Sequence, residues 1–262
     1  MTHTQQDTSQ TANVGERCVD HFSVANRVVI VTGSNRGNGF AVASGLSNAG
    51  AKVVRIDLAF NNKLKTDDIE FDLTNQTKIK SLVENILVKY GRIDALVNNA
   101  GISLSSANPY ADVSTYEKTL SLNLHAAFAM CCAVCPVMAN HKSGSIVNIT
   151  SLGAELAFPD NPSYQISKAG LRQLTKALAR DWGESGIRAN NICPGYIHTA
   201  MTEKSFSDKE LHQKRKNNTL MKRWGESTDL VGPTIFLISD ASSYITGTDI
   251  YVDGGWTANG GL

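Results

Sequence analysis

Tyr164 and Lys168 stand four residues apart in the run Tyr164-Gln165-Ile166-Ser167-Lys168, and Ser151 lies thirteen residues upstream, just past the apolar segment Ile146-Val147-Asn148-Ile149. On a helix, positions i and i+4 share a face, so the Lys168 ammonium can approach the Tyr164 phenol and favour its ionised form. A free tyrosine titrates near ~10, too high for proton exchange at neutral pH, and a nearby cation lowers that value. Ser151, at the C-terminal end of its strand, can hydrogen-bond the same substrate oxygen that Tyr164 protonates or deprotonates. Together they make an acid/base device.

Such residues need a rigid frame. From Arg27 onward, short β-branched runs alternate with longer amphipathic ones: Val28 to Val31 then Gly39 to Asn48, Lys52 to Ile56 then Thr77 to Tyr90, Ile93 to Val97 then Thr115 to Asn140. The alternation continues through Ser145 to Ile149, Pro162 to Gly183, Arg188 to Ile192, Asp229 to Ile238 and Ile250 to Val252. It predicts an α/β fold: a single-domain, doubly wound parallel sheet of Rossmann-like form, with helices on both faces and ligands at the C-terminal strand ends. Residues 1–25, polar and without apolar periodicity, read as a flexible N-terminal arm, and residues 26–262 as the dinucleotide-binding catalytic domain. Within the domain, 198–225 is the most irregular stretch and is expected to be a substrate lid.

After the first strand, Thr32-Gly33-Ser34-Asn35-Arg36-Gly37-Asn38-Gly39 is a glycine-rich turn that opens a helix, with the spacing Gly-x-x-x-Gly-x-Gly. Gly33 permits the tight turn, Gly37 lets backbone approach a pyrophosphate, and Gly39 allows close packing of helix on strand while the helix N-terminus faces the anion. Asn35, Arg36 and Asn38 complete the cradle. Asp57 ends the second strand, where a carboxylate binds the ribose hydroxyls of NAD and repels the 2′-phosphate of NADP. Leu58 follows it, not an arginine that would offset the repulsion, although Arg36 in the turn can reach a 2′-phosphate. NAD is therefore the expected cofactor and NADP the alternative. Asp72 and Leu73 are positioned to meet the adenine edge, and Asn98-Asn99-Ala100-Gly101 closes the strand ending at Val97 with small residues that let the chain pass close to the cofactor.

Length and composition exclude several classes. A chain of 262 residues, 42% hydrophobic and 19% charged, can bury a substantial core, and its net charge of +1 offers no broad attraction for nucleic acid or an acidic membrane surface. No apolar run reaches the ~20 residues of a bilayer span, and the N-terminus lacks the basic and apolar regions of a secretory signal. A cytoplasmic protein is expected. The five cysteines, Cys18, Cys131, Cys132, Cys135 and Cys193, do not suggest a disulfide framework in a chain of this size. Cys132 and Cys135 have a Cys-x-x-Cys spacing but no second ligand pair nearby, so they read as small packing residues, and no residue is assigned to a metal.

With these pieces in order, the sequence resembles the short-chain dehydrogenase/reductase family from about Asn26 to the C-terminus. The likeness rests on the glycine turn, Asn98 to Gly101, Asn123, Ser151, Tyr164 with Lys168, and Pro194-Gly195 followed by Thr199. It implies Tyr164 as general acid/base, Ser151 as the group that orients the reacting oxygen, and Lys168 as the ligand of the nicotinamide ribose that also lowers the pKa of Tyr164. It further implies that Asn123 holds a water linking Lys168 to solvent, and that Pro194, Gly195, Ile197 and Thr199 cradle the nicotinamide. Asn38 departs from the family, which usually carries an apolar residue there. The family usually forms tetramers through two long helices, so a homotetramer is expected, with a dimer as the alternative.

The run Ser151 to Leu156 resembles that of gluconate 5-dehydrogenases, and the resemblance puts Glu155 beside the substrate, where it can accept hydrogen bonds from hydroxyls. Between Thr199 and Arg223 the charges sum to +4, an excess that can draw in an anionic small molecule. The expected reaction is reversible hydride transfer between NAD(H) and a secondary alcohol or ketone, with a sugar acid, sugar or polyol as substrate. Reduction of a 3-oxoacyl thioester with NADPH is the alternative, against which Asp57 argues. A non-catalytic NAD(H)-binding sensor is the reading from another class, and it has no need to keep Tyr164, Lys168, Ser151 and Asn123 together.

Overall fold

The computed structural model describes residues 20–61 and 65–259. Strands β1 (Val28–Thr32), β2 (Lys52–Asp57), β3 (Asp68–Glu70), β4 (Ala95–Asn98), β5 (Gly144–Ile149), β6 (Ile187–Pro194) and β7 (Asp249–Val252) form one parallel sheet in the order β3-β2-β1-β4-β5-β6-β7. The order reverses between β1 and β4, which is where a doubly wound sheet opens a crevice. The helices are α1 (Gly37–Asn48), α2 (Ile79–Tyr90), α3 (Val113–Leu120), α4 (Ala127–Asn140), α5 (Pro162–Trp182), α6 (Glu203–Ser207), α7 (Lys209–Asn218) and α8 (Val231–Ile238).

The central strands are buried on both faces, which is why they read as unbroken apolar runs rather than alternating ones. Val28, Ile30, Val54, Ile56, Leu96 and Ile146 face α2 and α4, where Leu82, Ile86, Met130, Val134 and Met138 close one core. Their neighbours Val29, Val31, Val53, Ala95, Val97 and Val147 face the other way, onto Val42, Ala43 and Leu46 of α1 and Leu237 and Ile238 of α8. The period of two along each strand thus builds two cores from one sheet.

Between α3 and α4 the chain makes a π turn over Ser121–Ala126. The long run expected as one helix from Thr115 is present as a continuous helical run, and the π turn within it holds Asn123, which is fully buried. Contrary to expectation, Val113–Asn140 contains an 18-residue window of mean hydropathy 1.7, apolar and long enough for a membrane span by composition. Its inward residues Met130, Cys131, Val134, Cys135 and Met138 pack under the sheet, and this duty accounts for the apolar composition.

Residues 1–19 of the expected arm, with Cys18, lie outside the described residues. The remainder belongs to the domain: Val24 is buried in the core, and Ala241 N donates to His21 O at 2.9 Å. The folded unit therefore begins before residue 26. The 198–225 segment is also more regular than its sequence indicates. It carries α6 and α7, the latter capped by Asp208, whose side chain accepts from Glu210 N and Leu211 N.

Candidate active site

The acid/base residues converge because α5 begins beside the end of β5. Asn161 caps α5 by accepting from Tyr164 N at 3.3 Å, Pro162 occupies its first turn, and Gln165 ties the helix start to the preceding loop through Phe158 N and Phe158 O at 2.9 and 2.7 Å. One turn into the helix, Lys168 is buried and donates from Nζ to Ile149 O, the last carbonyl of β5, at 2.7 Å. Ser151 follows that carbonyl by two residues and caps a short 3-10 turn through Gly153 N at 3.1 Å. A Cβ built on Gly153 would stand 3.6 Å from Ser151 Oγ and 3.7 Å from Tyr164 Cε1, so hydroxyl and phenol ring flank one small residue.

Burial pushes the Tyr164 phenol up, and its hydrogen bond with Ser151 pulls it down. The sequence reading assigned the downward pull to Lys168. In the structure Lys168 Nζ lies 5.8 Å from the centre of the Tyr164 ring and is committed to Ile149 O; it is not among the groups that shift the phenol, which burial leaves above its ordinary value rather than below it. Burial in turn pushes the Lys168 ammonium down to about 8. A protonated phenol beside a hydroxyl can give a proton to a carbonyl oxygen as it becomes an alcohol, and the same pair in reverse can take one from a hydroxyl.

Asn123 meets this group from the side. Its Oδ1 accepts from Ile102 N at 2.8 Å, and its Nδ2 donates to Ile102 O and Ser167 Oγ at 2.9 and 3.0 Å. A Cβ on Gly101 would stand 3.3 Å from Asn123 Oδ1 and 3.5 Å from Lys168 Nζ, which brings Gly101, Asn123 and Lys168 to one spot. The Asn123 amide is thus spent on protein partners, and the π turn is the feature that departs from a regular backbone here.

The glycine turn faces this group across the crevice. Gly33 has φ +64° and Gly37 φ +56°, both left-handed. A Cβ on Gly33 would approach Ala100 Cα to 2.7 Å, and one on Gly39 would approach Gly33 O to 2.1 Å. The sequence reading did not single out Thr32, yet its Oγ1 accepts from Asn99 N and Ala100 N at 3.0 and 3.1 Å. Asn99 Nδ2 adds bonds to Thr32 O and Gly33 O at 3.0 and 2.9 Å, locking the segment after β4 to the turn. A threonine directly before the first glycine was the available signal.

At the end of β2, Asp57 accepts from Asn35 N and Leu58 N, each at 2.8 Å, which fixes the carboxylate with lone pairs to spare. Arg36 and Leu58 are exposed beside it. Asp72 Oδ1 accepts from Thr74 N and Thr74 Oγ1 at 2.9 and 2.6 Å, and these bonds hold its carboxyl below the usual range; Leu73 is buried behind it. Across the turn, Thr199 Cγ2 would lie 3.6 Å from a Cβ on Gly37. Pro194 ends β6 and Gly195 follows it, Gly195 N bonding Val252 O at 2.9 Å, while Ile197 O accepts from Thr202 Oγ1 at 2.6 Å. The side chain of Asn38 is taken by Ser227, whose hydroxyl donates to Asn38 Oδ1 at 2.8 Å. That bond accounts for the polar residue in the turn.

The cradle that a Cβ would fill, the α1 N-terminus behind it and the free lone pairs of Asp57 fit a dinucleotide. Gly33, Asn35, Arg36, Gly37 and Gly39 would hold its phosphates, Asp57 its ribose, and Thr199 and Gly195 the nicotinamide end. When bound, the nicotinamide supplies or accepts the hydride.

Glu155 lies on the loop after Ser151, and its Oε2 is engaged by the Tyr251 hydroxyl and by Arg172 Nη2 at 3.6 Å. Arg172 Nε also holds Asp249 Oδ2 at 2.6 Å. The first duty of Glu155 is thus to pin its loop to α5 and β7, and a hydroxyl would meet only Oε1. The wall nearer the 198–225 segment is aromatic: Tyr196 packs against Phe158, Trp224 and Trp256 with ring centres 6.2, 5.6 and 4.9 Å away. Sequence reasoning missed this wall entirely. The 198–225 segment is tied at its base by a bridge between Ile197 and Gly225. Among the described residues no three His, Cys, Asp or Glu side chains cluster in a way that would hold a metal ion.

A cradle for a dinucleotide and a proton-exchanging pair on opposite walls of one crevice are what a nicotinamide-dependent oxidoreductase of the Rossmann type requires, and the chain falls in that class. A family profile described as enoyl-(acyl carrier protein) reductase matches residues 33–257. A gluconate 5-dehydrogenase of Gluconobacter oxydans is 36% identical over 251 residues, covering 92% of this chain and 98% of its own. A 2-dehydro-3-deoxy-D-gluconate 5-dehydrogenase of Formosa agariphila is 33% identical, covering 90% and 95%. Among solved structures, a gluconate 5-dehydrogenase from Burkholderia cenocepacia in complex with NADP and tartrate is 32% identical, with a TM-score of 0.86 over 92% of this chain and 98% of that one. The chain belongs to the short-chain dehydrogenase/reductase family and is an NAD(P)-dependent oxidoreductase acting on CH–OH groups.

Proposed function

We propose that the protein interconverts a secondary alcohol and a ketone in a sugar acid, with a free sugar or polyol as the wider substrate class and NAD(H) as the preferred cofactor. The observation that carries this reading is the meeting of Tyr164, Ser151 and Lys168 at the end of β5, across the crevice from the glycine turn. In this reading Tyr164 is the general acid/base and Ser151 orients the reacting oxygen. Lys168 binds the nicotinamide ribose. Asn123 shapes the backbone that holds a water beside Lys168, and Oε1 of Glu155 lies within reach of substrate hydroxyls. The full-length likeness to enzymes named for gluconate and its keto forms supports a sugar acid over an acyl thioester, despite the acyl-carrier wording of the matched profile.

Asp57, fixed by two backbone N–H groups, supports NAD(H), since a 2′-phosphate would bring like charge to its free lone pairs. The four described cysteines are free, in keeping with a cytoplasmic protein, and the exposed apolar faces of α4 and α5 support a homotetramer.

The test is fluorescence titration with NADH and NADPH, followed by a panel of aldonates, alditols and 3-oxoacyl thioesters read at the nicotinamide absorbance. NADH should bind tighter and an aldonate should turn over fastest. Tyr164→Phe should lower kcat by about 10²–10⁴-fold, the usual weight of a general acid/base, with cofactor binding intact. Turnover of thioesters alone, with NADPH, would replace this reading by the acyl one, and unaltered kcat in Tyr164→Phe would remove Tyr164 from its role.

A further inference from the structure

On α7 of the lid, the Arg215 guanidinium lies 4.2 Å above the centre of the Tyr196 ring and 5.7 Å from that of Trp224. Its Nη1 is closed off from solvent and has no hydrogen-bond partner, the one buried side-chain nitrogen or oxygen in that condition among the described residues. An arginine stays charged at any working pH, and a buried charged donor left unpaired is destabilising, so the arrangement calls for an acceptor. The lid's other arginine close to these rings, Arg223, already has one, holding Asp229 through both Nη atoms at 2.7 and 3.0 Å.

The ring beneath Arg215 belongs to the catalytic side of the molecule. Tyr196 touches Phe158 on the Ser151 loop, and it lies near enough to Tyr164 that charge on one phenol opposes charge on the other. Through the Tyr196 ring, Arg215 is thus linked to Phe158 and the loop that carries Ser151. A planar guanidinium over aromatic faces, with donors free on one edge, matches the two oxygens of a carboxylate.

We propose that Arg215 is the residue that selects an acid over a neutral sugar: its free edge takes the substrate carboxylate while a hydroxyl several carbons away meets Ser151 and Tyr164. The inference rests on the sugar-acid reading above and deepens it by naming the recognising group. Arg215 acts on binding and leaves proton transfer to Tyr164.

The experiment compares D-gluconate with D-glucitol, which differ in carboxylate against CH₂OH, on wild type, Arg215→Met and Arg215→Lys loaded with NAD. Binding is read by quenching of Trp224 and Trp256 beside Tyr196, and turnover by nicotinamide absorbance. In Arg215→Met the gluconate-to-glucitol ratio of kcat/KM should fall by about 10–100-fold, the range for a charge-assisted bidentate pair, through KM rather than kcat. Glucitol kinetics should stay within about 3-fold, and Arg215→Lys should retain part of the preference, because it keeps the charge and loses the fork. Should Arg215→Met fail to fold, the same partial loss in Arg215→Lys, confined to gluconate, carries the test. A wild type that prefers gluconate, with the ratio unmoved in both variants, would overturn the role of Arg215 and leave the sugar-acid reading standing. A wild type that binds no gluconate would overturn both.

Discussion

Lys168 is a residue whose proposed role works against stability. Burial pushes its ammonium from the ordinary 10.5 down to about 8, with a single bond to Ile149 O in compensation. A base whose folded value lies below its unfolded one is a liability that is full below pH 8 and fades as pH climbs toward 10.5, because in that window the unfolded chain binds more protons. The gap corresponds to roughly 3 kcal/mol, offset in part when a substitution leaves Ile149 O unpaired. Lys168→Met is therefore expected to abolish turnover and yet raise Tm at pH 7 by roughly 5 °C, with the gain shrinking at pH 10. Thermal scans at the two pH values decide it: a Tm at or below wild type at pH 7 would mean that the ammonium is already compensated. The type and spacing of Tyr164, Lys168 and Ser151 were legible in the sequence because a helix turn and a strand end relate them locally. Arg215 was not, since it counted there only as one lid charge, and the rings that give it meaning come from residues 158, 196, 224 and 256.

Between elements, the site rests on a line of buried side-chain bonds that crosses the sheet beneath it. Asn98 Nδ2 donates to Asn148 Oδ1 at 2.9 Å, and Asn148 Nδ2 to Thr175 Oγ1 at 2.7 Å. Thr175 bonds Asn191 Oδ1 at 2.6 Å, and Asn191 Nδ2 donates to Asp249 Oδ1 at 2.7 Å. The line thus joins β4, β5, α5, β6 and β7 and reaches Arg172 and Glu155 through Asp249. Thr175 is its centre, and each buried partner left unpaired costs about 1–3 kcal/mol. Thr175→Val, which keeps the shape and strands both asparagines, should destabilise by about 2–5 kcal/mol in urea unfolding, while Thr175→Ser should recover most of that loss. A Val variant within about 0.5 kcal/mol of wild type would show that the line relaxes onto other partners. Six of the seven strands were legible because central parallel strands are apolar along their length. β3 was not, because Asp68-Ile69-Glu70 holds one apolar residue and is recognised only by its pairing with β2. Helices α6 and α7 escaped for a related reason: neither buries a residue, so neither prints an apolar period.

At the scale of the whole molecule, what the sheet does not use of α4 and α5 remains exposed. Phe128 is 54% exposed and lies with Leu124, Ala129, Cys132, Ala133 and Leu174 along an outward groove of about 620 Å³. Leu124 would stand 2.8 Å from a Cβ on Gly170, so the π turn packs closely against α5 here. Apolar residues on two faces account for the composition that satisfies a membrane-span criterion: one face packs under the sheet and the other lines the outward groove. Although Gln76, Lys80 and His125 also line it, a largely apolar groove of this kind fits the proposed homotetramer, and a twofold pairing of identical faces would bury it with every residue used twice. Because α5 also carries Tyr164 and Lys168, pairing here would brace the helix that positions the proposed general acid/base. Phe128→Glu brings two carboxylates together across such a pairing and should halve the particle mass in light scattering at micromolar protein, with kcat falling as α5 loses its brace. Phe128→Leu, similar in character, should keep both mass and activity. Should Phe128→Glu keep the wild-type mass, the assembly would have to form through another face, and the brace on α5 would have to come from within the chain.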